Sequence, residues 1–91
     1  MKSILQDGKR CYLCGRGGRW LHEHHIYEGS RRQKSDEYGL KVWLCVRHHT
    51  GAEGAHSIPG VREMLHKAGQ RKFEETHTRE EFIRIFGKSY L

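Results

Sequence analysis

Three cysteines and a run of histidines carry most of the chemistry this sequence can offer. Cys11-x-x-Cys14 and Cys45-x-x-His48 are two knuckles of identical spacing, about thirty residues apart. A structural zinc takes four ligands in a tetrahedron, drawn from thiolates and imidazoles. Two knuckles supply two ligands each, so Cys11, Cys14, Cys45 and His48 complete the set. An odd number of cysteines also argues against a full disulfide framework. His49 is adjacent, but His48 repeats the two-residue gap of the first knuckle and is the better match. Between the knuckles, the segment Leu21-His22-Glu23-His24-His25-Ile26 packs three histidines and a carboxylate into four positions. In a strand, His22 and His24 face one side while Glu23 and His25 face the other. Adjacent imidazoles can therefore split roles, one binding a metal and the other taking a proton from water. A neutral imidazole suits general-base work at about pH 7. His49, fixed beside the zinc-bound turn, and His56 could join His24 on a second metal. Glu53, four residues after His49, competes with His56 as third ligand.

These side chains need elements to hold them, and the chain is short. Its 91 residues, 35% apolar and 31% charged, read as a single domain, 1–91, with a lean core. Domains of this size often rely on a structural metal or disulfides. Trp20–Tyr27 reads as a strand around the histidines, and Leu40–Val46 (LKVWLCV) as a second, because it is apolar, aromatic and β-branched. Gly29–Gly39, polar and basic, is expected to be a loop or short turn. His48–Ala55 is expected to be a short helical segment, which would set His56 about two turns from His49. Ser57-Ile58-Pro59 resembles a helix start, followed by Val61, Leu65, Ala68, Lys72 and Phe73 at near-helical spacing. Thr78-Arg79-Glu80-Glu81 matches a capping box, with Gly87 as a plausible stop. The last third, 57–91, is therefore read as two helices that support packing, in preference to a DNA grip through Arg62, Lys67, Arg71 and Lys72.

The formal charge of +6 and the pI near 9.5 favour polyanionic partners through counterion release, nucleic acid first among them. No apolar run is long enough to span a membrane. Met1–Arg10 lacks the apolar core of a signal peptide, so a reducing cytoplasm is the expected compartment.

The order of these pieces is what carries a family resemblance. CxxC, a His-His pair followed by an aliphatic residue, an apolar strand ending in Leu-Cys, then x-x-His-His resembles the HNH endonucleases of the ββα-metal (His-Me finger) group. The zinc-containing branch is the nearest in pattern. The stretches HHIYEGSRRQKSDEYGLKVWLC and FIRIFGKSYL further resemble small HNH-type proteins of phages and prophages. The motif portion spans residues 11–56. The resemblance implies an α+β fold: a ββα-metal core stapled by zinc on three Cys and one His, with the two C-terminal helices appended. It implies a metal-dependent DNA endonuclease that hydrolyses phosphodiester bonds. His24 takes the first catalytic-metal position, His25 that of the general base, and His49 that of the ligand just past the second knuckle, with His56 a looser downstream match. Cys11, Cys14, Cys45 and His48 take the structural zinc positions. One divalent ion (Mg2+, Mn2+, Ni2+ or Zn2+) on His24 and His49 would contact a phosphate oxygen and the leaving 3′ oxygen. Arg31, Arg32, Lys34 and Arg47 are the implied phosphate contacts.

The pattern departs from the family at one point. The middle Asn, which normally orients the loop before the second strand, has no counterpart, since the chain contains no Asn. The matching stretch is Tyr38-Gly39-Leu40. Two other functions fit the same residues. One is a non-catalytic, zinc-ribbon-like DNA-binding module. The other is an adaptor whose C-terminal helices dock phage packaging or recombination proteins.

Overall fold

The computed structural model describes Met1 to Leu91. Its centre is a two-stranded antiparallel sheet, β1 (His22–His25) and β2 (Lys41–Leu44). The register pairs His22 with Leu44, Glu23 with Trp43, His24 with Val42 and His25 with Lys41. Leu40, Val42 and Leu44 are fully buried, the period-two pattern of a strand with one face on the core. The outer edge of β2 is not left open. Tyr12 N–H donates to the Trp43 carbonyl (2.8 Å), and Trp43 N–H donates to Gln6 Oε1 (2.7 Å). The first knuckle is thus laid along the edge of the second strand, which an unpaired edge requires.

The segment expected to be a loop, Gly29–Gly39, is instead mostly helical. A 3₁₀ turn, Gly29–Arg31, leads into helix α1 (Arg32–Glu37). The residues of α1 contain no Gly or Pro, and Ser35 supplies an anchor that polarity alone hides. Its buried hydroxyl accepts from Tyr27 N–H (2.9 Å) and donates to the Tyr27 carbonyl (2.8 Å). Leu40 N–H then bonds the Ser35 carbonyl (2.8 Å), and Ile26 N–H bonds the Leu40 carbonyl (3.0 Å). These bonds tie the β1 exit to the β2 entry.

The second expectation to change is the helix over His48–Ala55. Helix α2 covers only Val46–His49. The chain then turns back on itself, with Ala55 N–H on the His48 carbonyl (2.9 Å) and His56 N–H on the His49 carbonyl (3.2 Å). Gly54 permits the return, because a Cβ there would lie 2.7 Å from the His49 carbonyl oxygen. His56 consequently reaches His49 by a hairpin-like reversal and not by two turns of helix.

The C-terminal third is two helices, as expected. Helix α3 (Pro59–Phe73) starts with Pro59 in its first turn, where a missing N–H costs nothing. Helix α4 (Arg79–Phe86) carries both halves of the Thr78–Glu81 capping box and stops at Gly87, whose backbone is left-handed (φ 94°). The helices bury Leu65, Phe73, Phe82 and Phe86 around Tyr27. Tyr27 packs on Phe86 (ring centroids 4.6 Å) and Phe82 (5.3 Å), and its hydroxyl donates to the His66 carbonyl (2.7 Å). Gly69 lets α3 come this near, since a Cβ would sit 2.8 Å from the Tyr27 hydroxyl. The helices therefore clamp the two residues that follow His25. No helix is long and apolar enough to cross a membrane.

Candidate functional site

The two knuckles meet. Cys11, Cys14, Cys45 and His48 lie close enough to bind one metal ion. Gly15 N–H bonds the Cys11 carbonyl (2.8 Å), and His48 and His49 N–H both bond the Cys45 carbonyl (3.0 and 2.8 Å), so each knuckle is a tight backbone turn. Cys14 Sγ is 3.8 Å from Cys45 Sγ, and His48 Nδ1 is 3.3 Å from Cys45 Sγ and 3.7 Å from Cys11 Sγ. The edge of a tetrahedron around zinc is about 3.8 Å for two thiolates and about 3.6 Å for a thiolate and an imidazole. The observed separations lie within a few tenths of an ångström of those edges. Burial works against the Cys11 thiolate, but the backbone at Cys45, Cys14 and Leu13 outweighs it and brings the pKa down to about 6. A thiol poised to ionise suits a metal ligand.

A second cluster unites His24, His49 and His56. His24 comes from β1, His49 from the end of α2, and His56 from the reversal after it. His49 Nε2 is 3.2 Å from His56 Nε2, and the His24 ring lies 5.3 Å from both of theirs. His24 is only 2% exposed. Burial, reinforced by His49 and His56, lowers its pKa to about 3; burial, with His56 and His22, lowers that of His49 to about 4. Both imidazoles are therefore neutral at physiological pH, with lone pairs free to bind a cation. Glu53, the competing third ligand, is turned away and paired with Arg47 (2.6 Å). His22, on the same face of β1 as His24, places Nδ1 2.9 Å from His49 Nδ1. That bond steadies the ring through the nitrogen the cluster does not use, as metal-bound histidines commonly require.

Sequence reasoning missed one residue here. Glu28 Oε1 lies 3.8 Å from His24 Nε2 and 3.8 Å from His56 Nδ1. Glu28 Oε1 and His24 Nε2 are buried without a hydrogen-bond partner. Two buried polar atoms facing one another without a hydrogen bond are costly, and a cation bound by the carboxylate and an imidazole lone pair satisfies both. The residues thus fit a divalent metal. Nothing in the sequence signals Glu28, because β1 ends at His25 and only the bend before Gly29 turns Glu28 back toward His24.

His25 belongs to a third group, with Glu23 and Asp36, on the other side of β1. The alternation expected along the strand holds. Lys41, cross-strand partner of His25, places its ammonium 2.7 Å from Asp36 and 3.5 Å from Glu23. A cation is already built into this group, which makes it a poor metal site. The hydrogen bond and charge of Lys41 hold the Asp36 carboxyl below its ordinary range. His25 opens onto a shallow cleft whose walls include Ser30, Arg32 and Gln33.

The four cations expected to meet phosphate prove unequal. Arg32 points its Nε at His25 Nδ1 (3.5 Å). Arg31 instead donates to the Ile85 carbonyl (3.0 Å) and ties α4 to the turn before α1. Lys34 pairs with Glu37 (3.2 Å) and Arg47 with Glu53, both on the surface. Of the four, only Arg32 stands beside the proposed base.

No family model, curated protein or solved structure matches this chain.

Proposed function

We propose that the protein is a metal-dependent DNA endonuclease of the HNH type, with a structural zinc on Cys11, Cys14, Cys45 and His48. One observation carries the reading. Consecutive residues of β1 enter two different environments: the buried His24 joins His49 and His56 beside an orphaned carboxylate oxygen, while His25 faces an open cleft walled by Arg32.

His24, His49 and His56 would hold the divalent ion, with Glu28 at their margin. When bound, such an ion polarises a phosphoryl oxygen and stabilises charge on the leaving oxygen. The protein's own groups do the rest. Arg32 draws a phosphodiester to the end of β1 by a charge-assisted hydrogen bond. His25 takes a proton from the attacking water at one ring nitrogen. The zinc staple and the clamp on Ile26 and Tyr27 keep the two imidazoles at fixed positions, the preorganisation a hydrolytic site needs.

The deciding assay is relaxation of supercoiled plasmid by zinc-loaded protein with Mg2+, Mn2+ or Ni2+. Cleavage should stop with EDTA, and His25→Ala should lower it by about 10²- to 10⁴-fold, the usual worth of a general base. DNA that is bound but never cut with any of these ions would establish the binding-module reading in its place.

A further inference from the structure

We infer that Asp36 is the positioning residue for His25, fixing its ring and tautomer through Nε2 so that Nδ1 is the nitrogen that accepts the proton. The inference rests on the nuclease reading of His25.

The two ring nitrogens of His25 meet partners of opposite kind. Nε2 lies 3.4 Å from Asp36 Oδ1, with Glu23 Oε1 at 4.0 Å on the same nitrogen. Nδ1 lies 3.5 Å from Arg32 Nε. An ionised carboxylate can only accept a hydrogen bond, and a guanidinium can only donate one. Asp36 therefore demands a proton on Nε2, and Arg32 demands a lone pair on Nδ1. Two independent neighbours select the same tautomer. The lone pair they leave is on the side of the cation that would attract phosphate. An incoming phosphate would draw Arg32 off Nδ1 and free that lone pair for water, while a catalytic hydrogen bond such as Nε2–Asp36 is commonly long before substrate arrives and tightens in the loaded complex.

Asp36 is in turn held in place. It lies in α1, the helix fastened to Tyr27 through Ser35. Its Oδ1 accepts from Lys41 Nζ at 2.7 Å, and Lys41 stands opposite His25 in the sheet register. A carboxylate fixed by one strand thus orients an imidazole on the other. This Lys–Asp–His chain has the logic of a base oriented by a third group.

The test uses the zinc-loaded full chain. In the plasmid assay, Asp36→Ala should lower kcat by about 10- to 100-fold, less than the loss of the base itself, with KM within about twofold of the parent. Asp36→Asn, whose carbonyl oxygen still accepts from Nε2, should recover most of that loss. Adding Asp36→Ala to His25→Ala should cost nothing further, because Asp36 acts only through His25. A purely structural Asp36 would instead lower the melting temperature and add its cost to that of His25→Ala. Nitrogen-15 NMR of the His25 ring, recorded on the neutral imidazole, gives a readout free of activity. The parent should show the Nε2-protonated form alone, and Asp36→Ala a mixture of tautomers. An unchanged ring spectrum in Asp36→Ala, or an additive double variant, overturns the inference. If the parent cuts no DNA, the nuclease reading falls, and the NMR comparison alone decides whether Asp36 orients His25.

Discussion

Removing one imidazole from the histidine cluster offers the sharpest check on the proposed second metal centre. His56 has a half-exposed side chain and no partner outside the cluster and Glu28. His56→Ala should therefore change the metal-free protein by no more than about 0.5 kcal/mol, as surface substitutions do. Its effect on metal binding should be large. A ligand that binds only the folded state at a hundred times its Kd stabilises by about 2.7 kcal/mol. For a domain of this size each kcal/mol moves the melting temperature by roughly 4–8 °C, so the parent should gain about 10–20 °C with Ni2+. If the lost ligand weakens binding about 100-fold, the same Ni2+ concentration leaves only about 0.4 kcal/mol, or roughly 2–3 °C. The assay is a thermal melt of zinc-loaded protein with and without Ni2+, run beside Glu53→Ala and Glu28→Gln. Glu53→Ala should keep the full gain, since Glu53 faces Arg47. Glu28→Gln should fall between, because it removes the negative charge but keeps the shape. A His56→Ala protein that gains as much as the parent would refute the assignment, as would a parent that gains nothing from Ni2+, Mn2+ or Zn2+.

Two further outcomes follow from the framework. Cys14→Ser should lose its zinc and its cooperative melting transition together, read by metal analysis and circular dichroism. Apparent zinc-binding energies of about 10–16 kcal/mol are as large as the whole stability of a typical domain. Thr78→Ala removes a cap whose side chain bonds the Glu81 N–H (3.1 Å). It should cost about 1 kcal/mol, seen as a lower denaturant midpoint with zinc content unchanged.

The arrangement explains how so small a chain can hold two different imidazole environments three bonds of backbone apart. A strand turns adjacent side chains to opposite faces, and each face here is finished by a separate element. The His24 face receives α2 and the reversal that brings His56. The His25 face receives α1 with Asp36 and Arg32. The C-terminal helices bury Ile26 and Tyr27 and so set the strand's exit. Burial of His24 and exposure of the His25 cleft are consequences of which elements cover which face.

Much of the framework was written in residue types and spacing. Paired knuckles of equal gap identify Cys11, Cys14, Cys45 and His48, because a tetrahedral ion needs four soft donors and a tight turn delivers two at a time. Alternation separates His24 from His25, and the capping box marks the start of α4, because both are local rules of backbone geometry. Contacts between distant segments are not local, and there the pattern fell short. Gly29–Gly39 looked like a loop because its anchor, Ser35, bonds a backbone eight positions away. Helical spacing placed His56 near His49, but it arrives by a reversal that depends on Gly54. Glu28 and Asp36 carry no signature at all. The first becomes part of the histidine cluster only where the chain bends after β1, and the second meets His25 only because α1 folds across the strand. The sequence alone determined which cysteines and histidines were spaced to meet around a metal. The tertiary structure decided which carboxylate stands beside each imidazole, because that choice depends on how separate elements pack.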